Sequence, residues 1–274
     1  MNDRESVPVI NICFKGSRIE SFCNPMEFPI QQDDPMVVEA DRGEDLGFAR
    51  VNHKSEQKES EESLPVVLRK ASQQDLIRFS ENCSKEKIAF QFCERKIHEI
   101  SLDMKLVDVE YRLDRKKIIF YFTSDERIDF RELVKILAAE YKTRIEMRQI
   151  STREELKKTG GIGVCGEPLC CQNWLNSFEP ISTHLVKNQN LPMNPSKISG
   201  VCGKLKCCLR YEFENYSEML NKFPPYGTRL NYNSKKCVLE KIDIFQKTAT
   251  MKFEDDQIEE ISFDDFKNKV KSNS

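Results

Sequence analysis

Histidine is scarce in this chain: only His53, His98 and His184 occur in 274 residues. None stands in an H-E-x-x-H pair or beside an evident nucleophile, and no G-x-x-x-x-G-K-[ST] loop is present. Zinc-peptidase and P-loop chemistry are therefore excluded, and the chain is expected to be non-catalytic. Long apolar runs are missing too. Nothing approaches the roughly 20 residues of a membrane span, and the start, Met1-Asn2-Asp3-Arg4-Glu5-Ser6, leads into too short an apolar run for a signal peptide. A cytoplasmic protein without membrane insertion is expected. Its hydrophobic content of 39% and charged content of 32% suit a polar globular chain. The net charge of -2 conceals an asymmetry, because Lys142 to Arg210 holds 11 basic against 5 acidic residues. The excess of positive charge in that region suits an anionic metal site, RNA as a contact or, since no run exceeds two consecutive basic residues, a solvated charged surface.

Cysteine, by contrast, is abundant. Six of the eleven cysteines lie in two short segments 37 residues apart. The first reads Gly163-Val164-Cys165-Gly166-Glu167-Pro168-Leu169-Cys170-Cys171, and the second Gly200-Val201-Cys202-Gly203-Lys204-Leu205-Lys206-Cys207-Cys208. Both are G-V-C-G-x-x-x-C-C. Glycines on either side of the leading cysteine let the backbone curl tightly around a bound group. Each vicinal pair opens a stretch of helical character, Leu169 to Ser177 and Leu205 to Phe223, where the positive helix end favours the thiolate. Two such half-sites can face each other.

Neither copy contains the C-x2-C knuckle of structural zinc. Three thiolates at irregular spacing suit an iron-sulfur cluster, which accepts a fourth ligand from elsewhere. One cluster with four internal ligands and two clusters completed by a partner both satisfy the count. Zinc is the alternative metal. Disulfides are not expected, since nothing points to an oxidising compartment. Cys13, Cys23, Cys83, Cys93 and Cys237 sit singly among apolar residues and are expected to be reduced core residues, His98 to be a satisfied or exposed histidine and His184 a surface one.

The fold class expected is α+β. Residues 1–54 read as a small N-terminal β unit with strands over Val7 to Phe14, Arg18 to Phe22, Met36 to Ala40 and Gly47 to Val51. The apolar-free run Ser55 to Ser63 reads as a linker. Residues 64–150 read helix, strand, strand, helix, strand. The first helix enters at Ser72 and Asp75 and buries Leu76, Phe79, Cys83, Phe90, Cys93, Ile97 and Ile100. The change of apolar phase in Leu102 to Tyr111 predicts a bulge near Leu106. A capping box at Asp129 and Glu132 predicts the second helix start. Residues 151–223 form the mainly helical cysteine region, opened by a helix from Thr152 to Lys158 capped by Thr152 and Glu155 and stopped by Gly160-Gly161. Residues 224–274 alternate like a small β-barrel.

The run Gly160 to Cys171, then Gln189-Asn190-Leu191, Asn194 to Gly200 and Cys202 to Glu212, resembles the bacterial RicT family, also called YaaT. The domain ahead of it resembles that family's polymerase-suppressor-type (PSP) C-terminal domain, and the turn at Asp41-Arg42-Gly43 ahead of Gly47 its N-terminal strand region. The resemblance implies a cytoplasmic regulatory subunit in complex with two helical partners, RicA and RicF. It implies four-iron, four-sulfur clusters on Cys165, Cys170, Cys171, Cys202, Cys207 and Cys208. It further implies assistance to the endoribonuclease RNase Y in messenger RNA processing, with links to sporulation, competence and biofilm formation. The alternative reading is a direct nucleic-acid-binding protein with a structural metal site, supported by the basic excess and by Trp174 and Tyr211.

Overall fold

The computed structural model describes residues 8–41, 43–50, 64–175, 178–189, 191–233 and 235–272. The expected linker and His53 lie outside them. The chain divides into two compact units, Met1–Asn176 and Ser177–Ser274, and its fold is α+β.

The first unit opens with five strands: β1 (Val9–Cys13), β2 (Ile19–Cys23), β3 (Pro35–Ala40), β4 (Gly43–Arg50) and β5 (Val67–Lys70). They form one antiparallel sheet in the order β2-β1-β4-β3-β5. Ile12, Phe22, Met36, Val38, Ala49 and Val67 bury one face of it. A 3-10 turn at Lys15–Ser17 joins β1 to β2 with Gly16 at φ +66°, a conformation that glycine adopts without steric cost. The last strand, β5, pairs with β3, so the sheet is completed by residues on the far side of the expected linker.

Helix α1 (Gln73–Glu99) starts where the sequence places it. Ser72 Oγ accepts from the Asp75 amide, and the Asp75 carboxylate accepts from the Ser72 amide, a closed capping box. Beyond it come β6 (Lys105–Tyr111), β7 (Lys117–Thr123), α2 (Arg131–Tyr141) and β8 (Arg144–Gln149). The β6-β7 pair is antiparallel, with its register slipping between Leu106 and Asp108, the expected bulge. The β7-β8 pair is parallel because α2 carries the chain back across the sheet. Leu133 and Leu137 of α2 pack with Ala89, Cys93 and Ile97 of α1 over Val109, Ile118 and Phe120.

Several local expectations fail for identifiable reasons. Helix α2 has Phe130 at its N-cap and no side-chain cap, because the Asp129 carboxylate is held by the Arg131 guanidinium and backbone amide. Helix α3 (Thr152–Thr159) is capped one residue early, by Ser151 with Glu154, and ends at Gly160 with φ +80°. The buried stripe of α1 also rotates. In its first half Asp75, Asn82 and Glu86 are buried, while Leu76, Phe79 and Cys83 are only partly covered. Cys93 and Cys237 are core residues as expected, whereas Cys13 and Cys23 are half-buried.

The short helix α4 (Cys170–Asn173) closes the described part of the first unit. In the second unit α5 (Thr183–Asn188), α6 (Pro195–Ile198), α7 (Cys208–Tyr211) and α8 (Phe213–Leu220) precede the last strands. Leu185, Val186, Ile198 and Leu209 form their core. Strands β9 (Arg229–Tyr232), β10 (Lys235–Asp243), β11 (Thr248–Phe253) and β12 (Ile258–Ser262) follow, then α9 (Phe263–Lys269) and β13 (Val270–Ser272). Their order, β12-β11-β10-β9-β13, is an open antiparallel sheet. The barrel-like expectation is corrected here. Helix α9 separates the two edge strands, and its rings pack on Phe223, with centroids 4.5 Å away for Phe263 and 5.2 Å for Phe266.

Candidate metal-binding turns

The two cysteine copies fall in different units and have the same backbone. In the first, Gly163 N donates to Glu167 O at 2.8 Å, Gly166 N to Gly163 O at 3.0 Å and Leu169 N to Gly161 O at 3.1 Å. In the second, Gly200 N donates to Lys204 O at 2.8 Å, Gly203 N to Gly200 O at 3.0 Å and Lys206 N to Ile198 O at 2.9 Å. Each copy is thus a tight turn closed by a two-armed ladder, with isolated bridges Ile162 to Pro168 and Ser199 to Leu205. The glycine after each leading cysteine is required by the backbone. Gly166 and Gly203 have φ +86° and +74°, and a Cβ on either would meet nothing within 4 Å. The leading thiol folds back over the turn: a Cβ on Gly163 would lie 3.2 Å from Cys165 Sγ, and one on Gly200 3.6 Å from Cys202 Sγ.

After each turn the vicinal pair enters a helix, as the sequence predicts. Cys170 is the first residue of α4, and Cys207 is the N-cap of α7. Cys165 is exposed and Cys171 buried, with Cys170, Cys202, Cys207 and Cys208 between these limits. Val164 and Val201 at the turn tips are 69% and 54% exposed, so both turns face solvent. The donor chemistry and the glycine turns suit thiolate ligation. The ligand shell is not assembled, however: among the described residues no group of three or more His, Cys, Asp or Glu side chains is close enough to hold a metal ion. His98 and His184 are exposed.

A charged cluster that no sequence motif marks is built around Lys158 of α3 and Lys15. Lys158, near the end of α3, donates to Asp108 at 3.1 Å and Glu110 at 2.5 Å, and stands 4.0 Å over the Tyr121 ring. Lys15 donates to the same Asp108 at 2.7 Å, to Glu86 at 2.9 Å and to Val109 O at 2.9 Å. Arg18 and Arg112 flank Asp45, whose carboxyl burial raises despite both guanidinium groups. This network borders a cavity of about 680 Å³ walled by Phe14, Phe48, Phe79 and Phe90. The bulge between Leu106 and Asp108 is the feature of the sequence nearest to it. Burial also lowers the Lys157 ammonium, against the opposing influence of Cys171 and Cys13.

A mixed α+β chain with one glycine-cysteine turn in each of its two units defines the class. Residues 65–150 match the PSP1 C-terminal conserved region, and residues 180–223 the third domain of PSP1-like proteins. The chain is 47% identical over 241 residues to the stage 0 sporulation protein YaaT of Bacillus subtilis, covering 87% of each chain. It is 32% identical over 168 residues to an uncharacterized protein of Schizosaccharomyces pombe, of which it spans 22%. Over 44 residues it is 50% identical to protein PSP1 of Saccharomyces cerevisiae, or 5% of that protein. No solved structure matches. The chain belongs to the YaaT family of PSP1-domain proteins. Among the described residues no helix is long and apolar enough to cross a membrane.

Proposed function

We propose that this chain is a non-catalytic, cytoplasmic regulatory subunit that holds iron-sulfur clusters, of the four-iron, four-sulfur kind, through Cys165, Cys170, Cys171, Cys202, Cys207 and Cys208. It acts with RicA-like and RicF-like subunits to promote messenger RNA processing by an RNase Y-type endoribonuclease, and through it sporulation, competence and biofilm formation. The sporulation role is suggested by the name of the Bacillus relative. The observation that carries the metal reading is the turn built twice with one hydrogen-bond pattern around a leading cysteine and a vicinal pair.

A bound cluster would supply one-electron chemistry and sensitivity to oxygen. The chain's own part is to present thiolates on turns whose glycines hold the backbone open to solvent. Each copy carries three cysteines, one short of the four ligands of a complete shell. A ligand donated by a partner subunit would complete it and make assembly depend on cluster state.

Anaerobic purification with iron and acid-labile sulfide analysis and an absorption spectrum tests the reading. Brown protein with iron and sulfide in equal amounts, rising in occupancy when partner subunits are added, is the expected result. A colourless protein with stoichiometric zinc would overturn it.

A further inference from the structure

Between Glu179 and Glu212 the chain contains no aspartate or glutamate, although acidic residues make up 45 of its 274. At that frequency about five would fall in such a stretch. Lys187, Lys197, Lys204, Lys206 and Arg210 all lie within it. The stretch folds around its own core of Leu185, Val186, Ile198 and Leu209, with Leu205 packed against it. Lys204 and Lys206 flank Leu205 on the returning arm of the second cysteine turn. Lys187, Lys197 and Lys204 are exposed and Lys206 half-buried. Arg210 pairs with Glu179 just outside the stretch, whereas among the described residues no carboxylate pairs with the four lysines. Tyr211, next to Arg210, is 59% exposed.

The first cysteine turn shows what the turn's backbone alone requires. Its backbone is the same, yet Glu167-Pro168-Leu169 stands where the second copy has Lys204-Leu205-Lys206. The positive charge is therefore extra to the turn. Exposed lysines and an exposed ring within one segment suit a polyanion with rings to stack. The helices here are four to eight residues long, too short to read a duplex groove, which favours a single strand.

We propose that the lysine-rich segment of residues 180–189 and 191–211 binds single-stranded RNA, with Lys187, Lys197, Lys204 and Lys206 neutralising phosphates and Tyr211 stacking on a base. This rests on the RNA-processing role in the proposed function but fails separately from the cluster reading, since iron and sulfide content tests the cluster and RNA affinity tests this proposal.

The experiment is fluorescence anisotropy of the full chain with a labelled uridine-rich RNA of about 20 nucleotides, titrated with salt. Affinity should fall linearly with salt on logarithmic axes. Replacing Lys197, Lys204 and Lys206 together with alanine should reduce the slope by about 2. Removing the same number of charges from α1, as Arg78→Ala, Lys85→Ala and Arg95→Ala, should leave the slope unchanged. Tyr211→Ala should weaken binding about tenfold at constant slope, with Tyr211→Phe retaining it. The tyrosine pair decides the matter if the triple variant folds poorly or loses iron. No binding by the unaltered chain at low salt, equal slope losses in both triple variants, or equal binding by the two tyrosine variants would overturn the proposal. So would binding to phosphatidylserine vesicles but not to RNA.

Discussion

Gly16 makes room for Lys158: a β-carbon built on Gly16 would stand 2.7 Å from Lys158 Cγ. Gly16 belongs to the turn between the first two strands, and Lys158 to the helix that leads into the first cysteine turn. The lysine reaches Asp108 and Glu110 only by passing over that glycine.

Gly16→Ala should therefore destabilise the first unit on two grounds. The left-handed backbone costs about 1–2 kcal/mol with a β-carbon present, and displacement of Lys158 would weaken its pairing with two poorly exposed carboxylates. Lys158→Met alone should cost about 3 kcal/mol. Because the side chains meet, the double variant should cost less than the sum in urea denaturation. Strict additivity would show that the contact is not energetic.

Asp75 is held well below its ordinary value, chiefly by the hydrogen bond from Arg69, against the opposing cost of burial and with help from Ser72. A depressed folded value lends stability above the unfolded one and loses it as the pH falls toward the folded one. Asp75→Asn should then cost about 1 kcal/mol near neutrality. The deficit should shrink below about pH 4. A gap that does not vary with pH would refute the assignment.

Glu86 behaves in the opposite sense. Burial raises its carboxyl although Lys15 and the Tyr111 amide both favour the anion. A raised folded value lends stability that is full below the unfolded value, 4.5, and declines as the pH rises through the folded one. The destabilisation by Glu86→Gln should be larger near pH 4 than near pH 7. Denaturation at the two values reads the sign directly.

Thiol labelling should sort the cysteines by environment. Cys165 is exposed, whereas burial pushes the Cys93 thiol up to about 12 and raises that of Cys237. In metal-free native protein Cys165 should react first, and Cys93 and Cys237 only on unfolding, as read by peptide mass spectrometry. Early modification of Cys93 would mean that the α1 core opens.

Cys165→Ser, Cys170→Ser and Cys202→Ser should each lower the iron content of anaerobically purified protein well below that of Cys237→Ser. Gly166→Ala and Gly203→Ala should do the same, since the turn conformation is strained for any residue with a β-carbon. Equal iron in all of these variants would dissociate the repeat from the metal.

Much of this was legible in the sequence. Strands with a buried alternate face, the capped α1, the bulge near Leu106 and both cysteine turns follow from local patterns of a few residues. The failures share another character. Asn82 and Glu86 are buried because Arg112 and Arg115 meet the first and Lys15 and Tyr111 the second. Those partners are 25 or more residues away, beyond the reach of helical periodicity. The cap of α2 failed through a competing neighbour, Arg131, and the barrel through a terminal helix whose rings fill the sheet's core.

The pairing of Val67–Lys70 with β3 bears on how this protein can be dissected. The conserved PSP1 region begins at residue 65, so a recombinant fragment cut there would carry off a strand whose hydrogen-bonding neighbour stays behind. The orphaned edge, with Val67 normally 2% exposed, would invite self-association. The sequence-conserved module and the smallest piece that can be handled in solution are thus different objects. The workable fragment of the first unit has to start upstream of β1 and run through α4.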